Sequence, residues 1–103
     1  MNRHYHISLH VPLGVRDGTL TLKEQVGKVT GSLYILGVQN PFEGFMDESG
    51  YLFIQGKLHS IVRDIPYQGI GTISENEIHL KLINGSSTYE LSGNLINELK
   101  GAN

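Results

Sequence analysis

From Arg3 to Val11 the chain alternates: Tyr5, Ile7, Leu9 and Val11 share one parity, and His4, His6, Ser8 and His10 share the other. Successive side chains of a β-strand point to opposite faces, so this pattern predicts a strand with one dry and one wet face. The same period of two dominates the rest of the sequence, and helical periodicity is hard to find outside the last eight residues. Turn-forming residues interrupt it at Gly14 to Gly18, Val26-Gly27, Gly37 to Pro41, Glu48-Ser49-Gly50, Arg63-Asp64, Glu75-Asn76 and Asn84-Gly85. Seven turns predict eight strands, at 4–12, 18–25, 28–36, 40–46, 51–62, 65–74, 77–83 and 86–95.

Parallel neighbours need a crossover of about a dozen residues or more, and no connection here has room for one. The expected fold class is therefore all-β, a single antiparallel up-and-down meander of about eight strands. Glycines at 18, 31, 44, 56 and 71 recur at about the length of one strand plus one turn, as expected if each strand bends at a similar height. Closing the meander into a small barrel pairs the first strand with the last and removes both open edges. The chain of 103 residues accommodates one core, so residues 1–103 are expected to form one barrel domain.

Turn chemistry also predicts register. A two-residue Asn84-Gly85 turn sets Ile83 opposite Ser86, Leu80 opposite Tyr89, Ile78 opposite Leu91 and His79 opposite Glu90. A Glu75-Asn76 turn sets Ile73 against Ile78 and Thr72 against His79. At Arg63-Asp64, Leu58 meets Gly69, Ser60 meets Tyr67 and Gly56 faces Gly71. For Glu48-Ser49-Gly50, a three-residue loop with Gly50 left-handed is preferred, because a four-residue loop would turn Glu43 into the apolar interior.

The resulting inner face carries Tyr5, Ile7, Leu9, Val11, Leu20, Leu22, Val29, Leu33, Ile35, Phe42, Met46, Leu52, Ile54, Leu58, Ile65, Tyr67, Ile73, Ile78, Leu80, Leu82, Tyr89, Leu91 and Leu95, none of them charged. A filled core is favoured over a ligand cavity, since inward glycines also permit tight coiling. Were a cavity present, Tyr5, Ser60, Tyr67 and Tyr89 would be its polar handles for a small apolar ligand.

The outer face carries apolar residues too. Phe45 falls opposite Phe53 and Asp47 opposite Tyr51, with Tyr34, Leu36, Ile61, Ile70 and Ile83 also outward. An exposed patch of this kind marks association, so a homo-oligomer, with a two-fold dimer favoured, is expected to use the third to sixth strands, with Tyr34, Phe45, Tyr51 and Phe53 as interface residues. The five histidines also fall outward. His4 and His6, two apart, could offer two ligands to a metal, but exposed imidazoles alternating along a strand are commoner and no carboxylate cluster completes a shell, so no metal site is expected.

Composition narrows the function further. Eight Lys and Arg against ten Asp and Glu give a net charge of −2, which does not gather nucleic acid. Cysteine is absent, which removes thiolate and disulfide chemistry. The N-terminal alternation differs from a leader, and no apolar run reaches membrane-spanning length, so cytoplasmic residence without membrane contact is expected. Asn84-Gly85-Ser86 fits a glycosylation sequon but is sufficiently explained as a turn. No nucleophile elbow or phosphate loop is present and the acidic residues fall in turns or outward, so no enzyme activity, catalytic residue or cofactor is expected.

The Gly-x-apolar step in Gly18-Thr19-Leu20, Gly31-Ser32-Leu33, Gly56-Lys57-Leu58 and Gly71-Thr72-Ile73 resembles that of streptavidin-like and lipocalin-like, or calycin-like, barrels. Asn40-Pro41-Phe42-Glu43-Gly44, with Gly50, Gly56 and Ile65-Pro66-Tyr67, is similar to short bacterial barrel proteins without an assigned function. Tryptophan is absent, so neither the lipocalin G-x-W signature nor the avidin-type biotin-lining tryptophans carry over. The resemblance implies architecture only. Two functional expectations remain: a non-enzymatic, homo-oligomeric structural or interaction protein with a solid barrel, favoured by the short loops, or a module taking a small apolar ligand into the barrel mouth.

Overall fold

A computed structural model describes residues 1–60 and 62–99. Eight antiparallel strands, β1 (Asn2–Val11), β2 (Gly14–Gln25), β3 (Lys28–Ile35), β4 (Val38–Met46), β5 (Tyr51–His59), β6 (Asp64–Ile73), β7 (Glu77–Asn84) and β8 (Ser87–Leu99), follow one another around a closed barrel. Each strand pairs with its sequence neighbours, and β1 meets β8 along a ladder running from Tyr5–Leu95 to His10–Glu90. One extra residue, Ile96, bulges from that seam between Tyr5–Leu95 and His4–Asn97. No helix among the described residues is long and apolar enough to cross a membrane.

The end where strands pair through the β1–β2, β3–β4, β5–β6 and β7–β8 connections is the hairpin end; the chain termini lie at the other. The last strand continues to Leu99, past the expected boundary at residue 95. Residues 100–103 lie outside the described residues.

Both faces follow the alternation. Sixteen apolar residues from Tyr5 to Leu91 form the core, and Val11, Met46, Leu58, Ile73, Tyr89 and Leu95 pack against it; Ile65 is half-buried. In the middle of the barrel the space beside several inward glycines is taken by their neighbours. A Cβ added at Gly31 would lie 2.5 Å from Phe42 Cζ, one at Gly69 2.8 Å from Ile54 Cγ1 and one at Gly93 2.5 Å from Ile7 Cγ2. Neighbouring side chains therefore occupy the space these glycines leave. At Gly71 the approach is between backbones, since an added Cβ would run into the His79 carbonyl.

The β4–β5 and β6–β7 loops hold the expected registers. Phe45 pairs with Phe53 and Met46 with Leu52 across the three-residue loop, and Gly50 is left-handed at φ 91°. Asp47 supports that loop: its Oδ1 accepts hydrogen bonds from the Ser49 amide (2.9 Å), the Ser49 hydroxyl (2.8 Å) and the Tyr51 amide (3.0 Å). Those donors, the Ser49 hydroxyl foremost, lower its pKa. Ile73–Ile78 and Thr72–His79 also pair as expected.

Two registers and several boundaries differ. At the β5–β6 connection His59 pairs with Asp64 and Leu58 with Ile65, so Gly56 meets Tyr67 rather than Gly71. Here Ser60 makes the turn: its hydroxyl donates to the Arg63 carbonyl (2.6 Å) and accepts from the Arg63 amide (3.1 Å), closing a wider loop than the Arg63-Asp64 dipeptide implies. At β7–β8 the central residues are Gly85-Ser86, with Gly85 left-handed, so Asn84 pairs with Ser87, Leu80 with Leu91, Ile78 with Gly93, and Lys81 rather than His79 with Glu90. The Asn84 amide, instead of entering the turn, donates to the Pro66 carbonyl at 2.6 Å. Finally β2 begins at Gly14, because Pro12-Leu13 alone turns the chain and His10 and Leu9 find partners in Val15 and Arg16.

The β2–β3 and β3–β4 turns have a further feature. Val26 (φ 52°) and Leu36 (φ 55°) each precede a left-handed glycine, the backbone of a type I′ turn, in which a non-glycine residue carries a cost of about 1–2 kcal/mol. Val26 is 95% exposed and has no packing to lose. Val26→Asn is expected to stabilise the barrel by about 1 kcal/mol, read as a rise of about 4–8 °C in Tm. An unchanged or lower Tm would show that the turn carries no such strain.

Candidate functional site

The four polar residues expected inside the barrel do not converge, and Ser60 is not inside it. Tyr5 is fully buried toward the terminal end, and its hydroxyl accepts a hydrogen bond from Arg3 Nη1 at 3.3 Å. The same Nη1 donates to the Ser74 carbonyl at 2.8 Å. Tyr67 is buried at mid-height, beside Gly56, and its hydroxyl has no hydrogen-bond partner among the described residues. Tyr89 is half-buried at the hairpin end, and Ser60 is exposed in its loop there. Only the last two border a common space.

Burial pushes the Tyr67 hydroxyl up to a pKa of about 12, against about 10 in an unfolded chain. As pH rises through that window the unfolded state loses the proton first, so stability present below pH 10 declines toward pH 12, by about 2–3 kcal/mol in full. Tyr67→Phe is expected to be about 1 kcal/mol more stable than the native chain at pH 8 and to lack this part of the alkaline loss. Urea midpoints at pH 8 and 11.5 check both; equal alkaline losses in the two proteins refute the assignment.

The hairpin end opens into a cup of about 440 Å³. Leu9, Val11, Ile35, Leu58, Ile65 and Tyr89 line it, and Leu13 and Leu36 stand at its rim, 88% and 71% exposed. Two polar residues absent from the expected inner face also border it. Asn40 is buried, with both ends of its amide engaged: Nδ2 donates to the Leu33 and Val38 carbonyls (3.0 and 3.2 Å), and Oδ1 accepts the His59 amide (2.8 Å). Arg16, opposite Leu9 and two positions before inward Gly18, shares the inner parity and is half-buried. Extending the parity of Leu20 and Leu22 backward through Gly18 would have found it; reading Gly14 to Gly18 as a turn hid it.

On the outside, a groove of about 740 Å³ crosses the sheet from β4 to β8. Its central row, in ladder order, is Phe45, Phe53, Ile70, Lys81, Glu90 and His10, with Lys28 flanking Phe45 on β3. Phe45 is 62% and Tyr51 64% exposed, and Phe53 is half-buried between Phe45 and Ile70. Tyr34 pairs with Thr19 and Gln39, six positions from Lys28 along β3 and so about 20 Å from the row. It belongs to a different part of the surface. Ile61 lies outside the described residues.

His79 Nε2 lies 2.8 Å from Glu77 Oε1, and His59 Nδ1 lies 2.7 Å from Asp64 Oδ1, both exposed pairs of little energetic weight. Among the described residues, no three His, Asp or Glu side chains gather as a metal site would require. Comparison with protein-family models, curated proteins and solved structures finds no significant match, so the chain's function rests on its own geometry.

Proposed function

We propose that this protein is a cytoplasmic, non-enzymatic interaction module that works as a homodimer, its two copies meeting across the Phe45–Phe53–Ile70 row. The supporting observation is the order of side chains in that row: Lys28, Phe45, Phe53, Ile70, Lys81, Glu90. A two-fold axis lying in the interface along the strands, between β5 and β6, reverses the row on the second copy. Phe53 of each copy then faces Ile70 of the other, Phe45 covers the Lys81 stem, and Lys28 meets Glu90. One row height away, the same operation brings Asp47 toward His79. The row is thus complementary to itself in both greasiness and charge, as an isologous contact requires.

A stable contact needs about 800 Å² from each copy, roughly an eighth of the 6534 Å² surface. Size-exclusion chromatography with light scattering is expected to give a dimer for the native chain and a monomer for Phe53→Glu, whose charge would be buried at the centre. Glu90→Lys should weaken the dimer, and adding Lys28→Glu should restore it. A native monomer at tens of micromolar, or a dimer indifferent to Phe53→Glu, overturns the proposal.

A second reading is favoured by the cup: a lipocalin-like or streptavidin-like module that receives a small apolar ligand at the hairpin end, bordered by Tyr89 and Ser60. The apolar lining and the exposed Leu13 and Leu36 support it.

A further inference from the structure

Two arginines share the barrel's inner face, one near each end, and they are held differently. Arg3 is committed, through Nη1, to the Tyr5 hydroxyl and the Ser74 carbonyl. Arg16, at the hairpin end, makes one hydrogen-bond contact among the described residues, a 3.5 Å approach of Nη1 to the carbonyl of its own neighbour Val15, at the limit of hydrogen bonding. Among the described residues no carboxylate pairs with it. Two acidic groups of this end are engaged elsewhere: Asp17 Oδ1 accepts the Ser8 hydroxyl at 3.0 Å, and Asp64 Oδ1 meets His59 Nδ1. A guanidinium in this setting presents a fork of donors shaped for a carboxylate.

Below Arg16 the cup offers the opposite chemistry. Its walls are mostly aliphatic, with Tyr89, His59 and Ser60 also at its border, and the one buried polar side chain in it, Asn40, spends both amide protons within the barrel and accepts the His59 amide. Its volume of about 440 Å³ falls within the roughly 300–1,000 Å³ of small-molecule sites. A cationic rim over a dry floor selects a molecule that is anionic at one end and hydrocarbon at the other.

We propose that the hairpin end binds a single-chain amphiphile with a carboxylate head, the head on Arg16 and the chain against Leu9, Ile35, Leu58 and Ile65. This rests on the second reading above and adds the head group that would make binding selective.

The test is isothermal titration of the native chain with decanoate and with 1-decanol, both kept below the concentrations at which they aggregate, and of Arg16→Gln, which keeps a polar stem but removes the charge. Decanoate is expected to bind native protein about ten-fold or more tighter than decanol, and Arg16→Gln to lose that preference while retaining decanol binding. Retained decanol binding also demonstrates that the variant is folded around an intact cup. Equal affinities for the two ligands on native protein, or a decanoate preference surviving Arg16→Gln, overturn the carboxylate assignment and leave the apolar cup standing. Binding of neither ligand to native protein removes the cup itself as a site.

Discussion

Replacing Asn40 by alanine is expected to destabilise the barrel by about 3 kcal/mol, more than any exposed substitution should. The β4–β5 ladder ends at Phe42–Gly56, and Pro41, next along β4, has no amide proton to extend it. Asn40 carries the joint past that point: one side-chain amide bonds the Leu33 carbonyl of β3, the Val38 carbonyl of its own strand and the His59 amide of β5. Alanine strands these buried groups and leaves a void, each with its own penalty. Asn40→Leu separates the two effects, because it restores volume without hydrogen bonds. It should still cost about 2 kcal/mol in urea unfolding and speed hydrogen exchange at the His59 amide. A leucine variant as stable as the native chain would show that the bonds contribute nothing net.

The second large effect is expected at Gly71. An added methyl there meets the His79 carbonyl and lies 2.8 Å from Leu80 Cα, so relief requires β6 and β7 to separate. Gly71→Ala should destabilise by about 3 kcal/mol or more, at or beyond the usual range for overpacking. Gly69→Ala is the control. Its methyl would meet side-chain ends, Ile54 Cγ1 at 2.8 Å and Leu82 Cδ2 at 3.0 Å, which can rotate aside, so about 1–2 kcal/mol is expected. Chemical denaturation of both variants decides the matter; Gly69→Ala proving the more damaging would mean that backbone proximity is not the limit.

Much of this architecture was legible because the information is local. Period two names the faces, and a loop such as Glu48-Ser49-Gly50 carries its own register in the one residue suited to a left-handed backbone. Asp47 adds bonds that no spacing rule anticipates, but they reinforce the same answer. The misread places are those where a side chain, rather than a dipeptide type, makes the turn. Ser60 closes the β5–β6 connection, moving that register by four, and Asn84 is drawn to Pro66, moving the β7–β8 register by two. An even slip preserves the faces, which is why the core was recovered even where the partners were wrong.

The mouth was hidden for another reason. Gly14 to Gly18 and Gly37 to Pro41 are rich in turn formers, yet both belong largely to strands, since a closed sheet gives their backbone groups partners that composition does not reveal. Arg16 and Asn40 lie in those two stretches. Tertiary closure, not local preference, placed the inward cation of the hairpin end and the buried amide that borders the same cup.

The β1–β8 seam has a kinetic consequence. Seven of the ladders join neighbours in sequence and can zip outward from their turns, but the eighth unites Tyr5 with Leu95, about ninety positions apart. Bringing such distant segments together costs about 4 kcal/mol of chain entropy before any reward, placing the step late in folding. Until it happens, two long unsatisfied rims face solvent at once. At high concentration each can capture its complement from another molecule, so refolding yield should fall steeply with protein concentration although the finished molecule has no rim to offer.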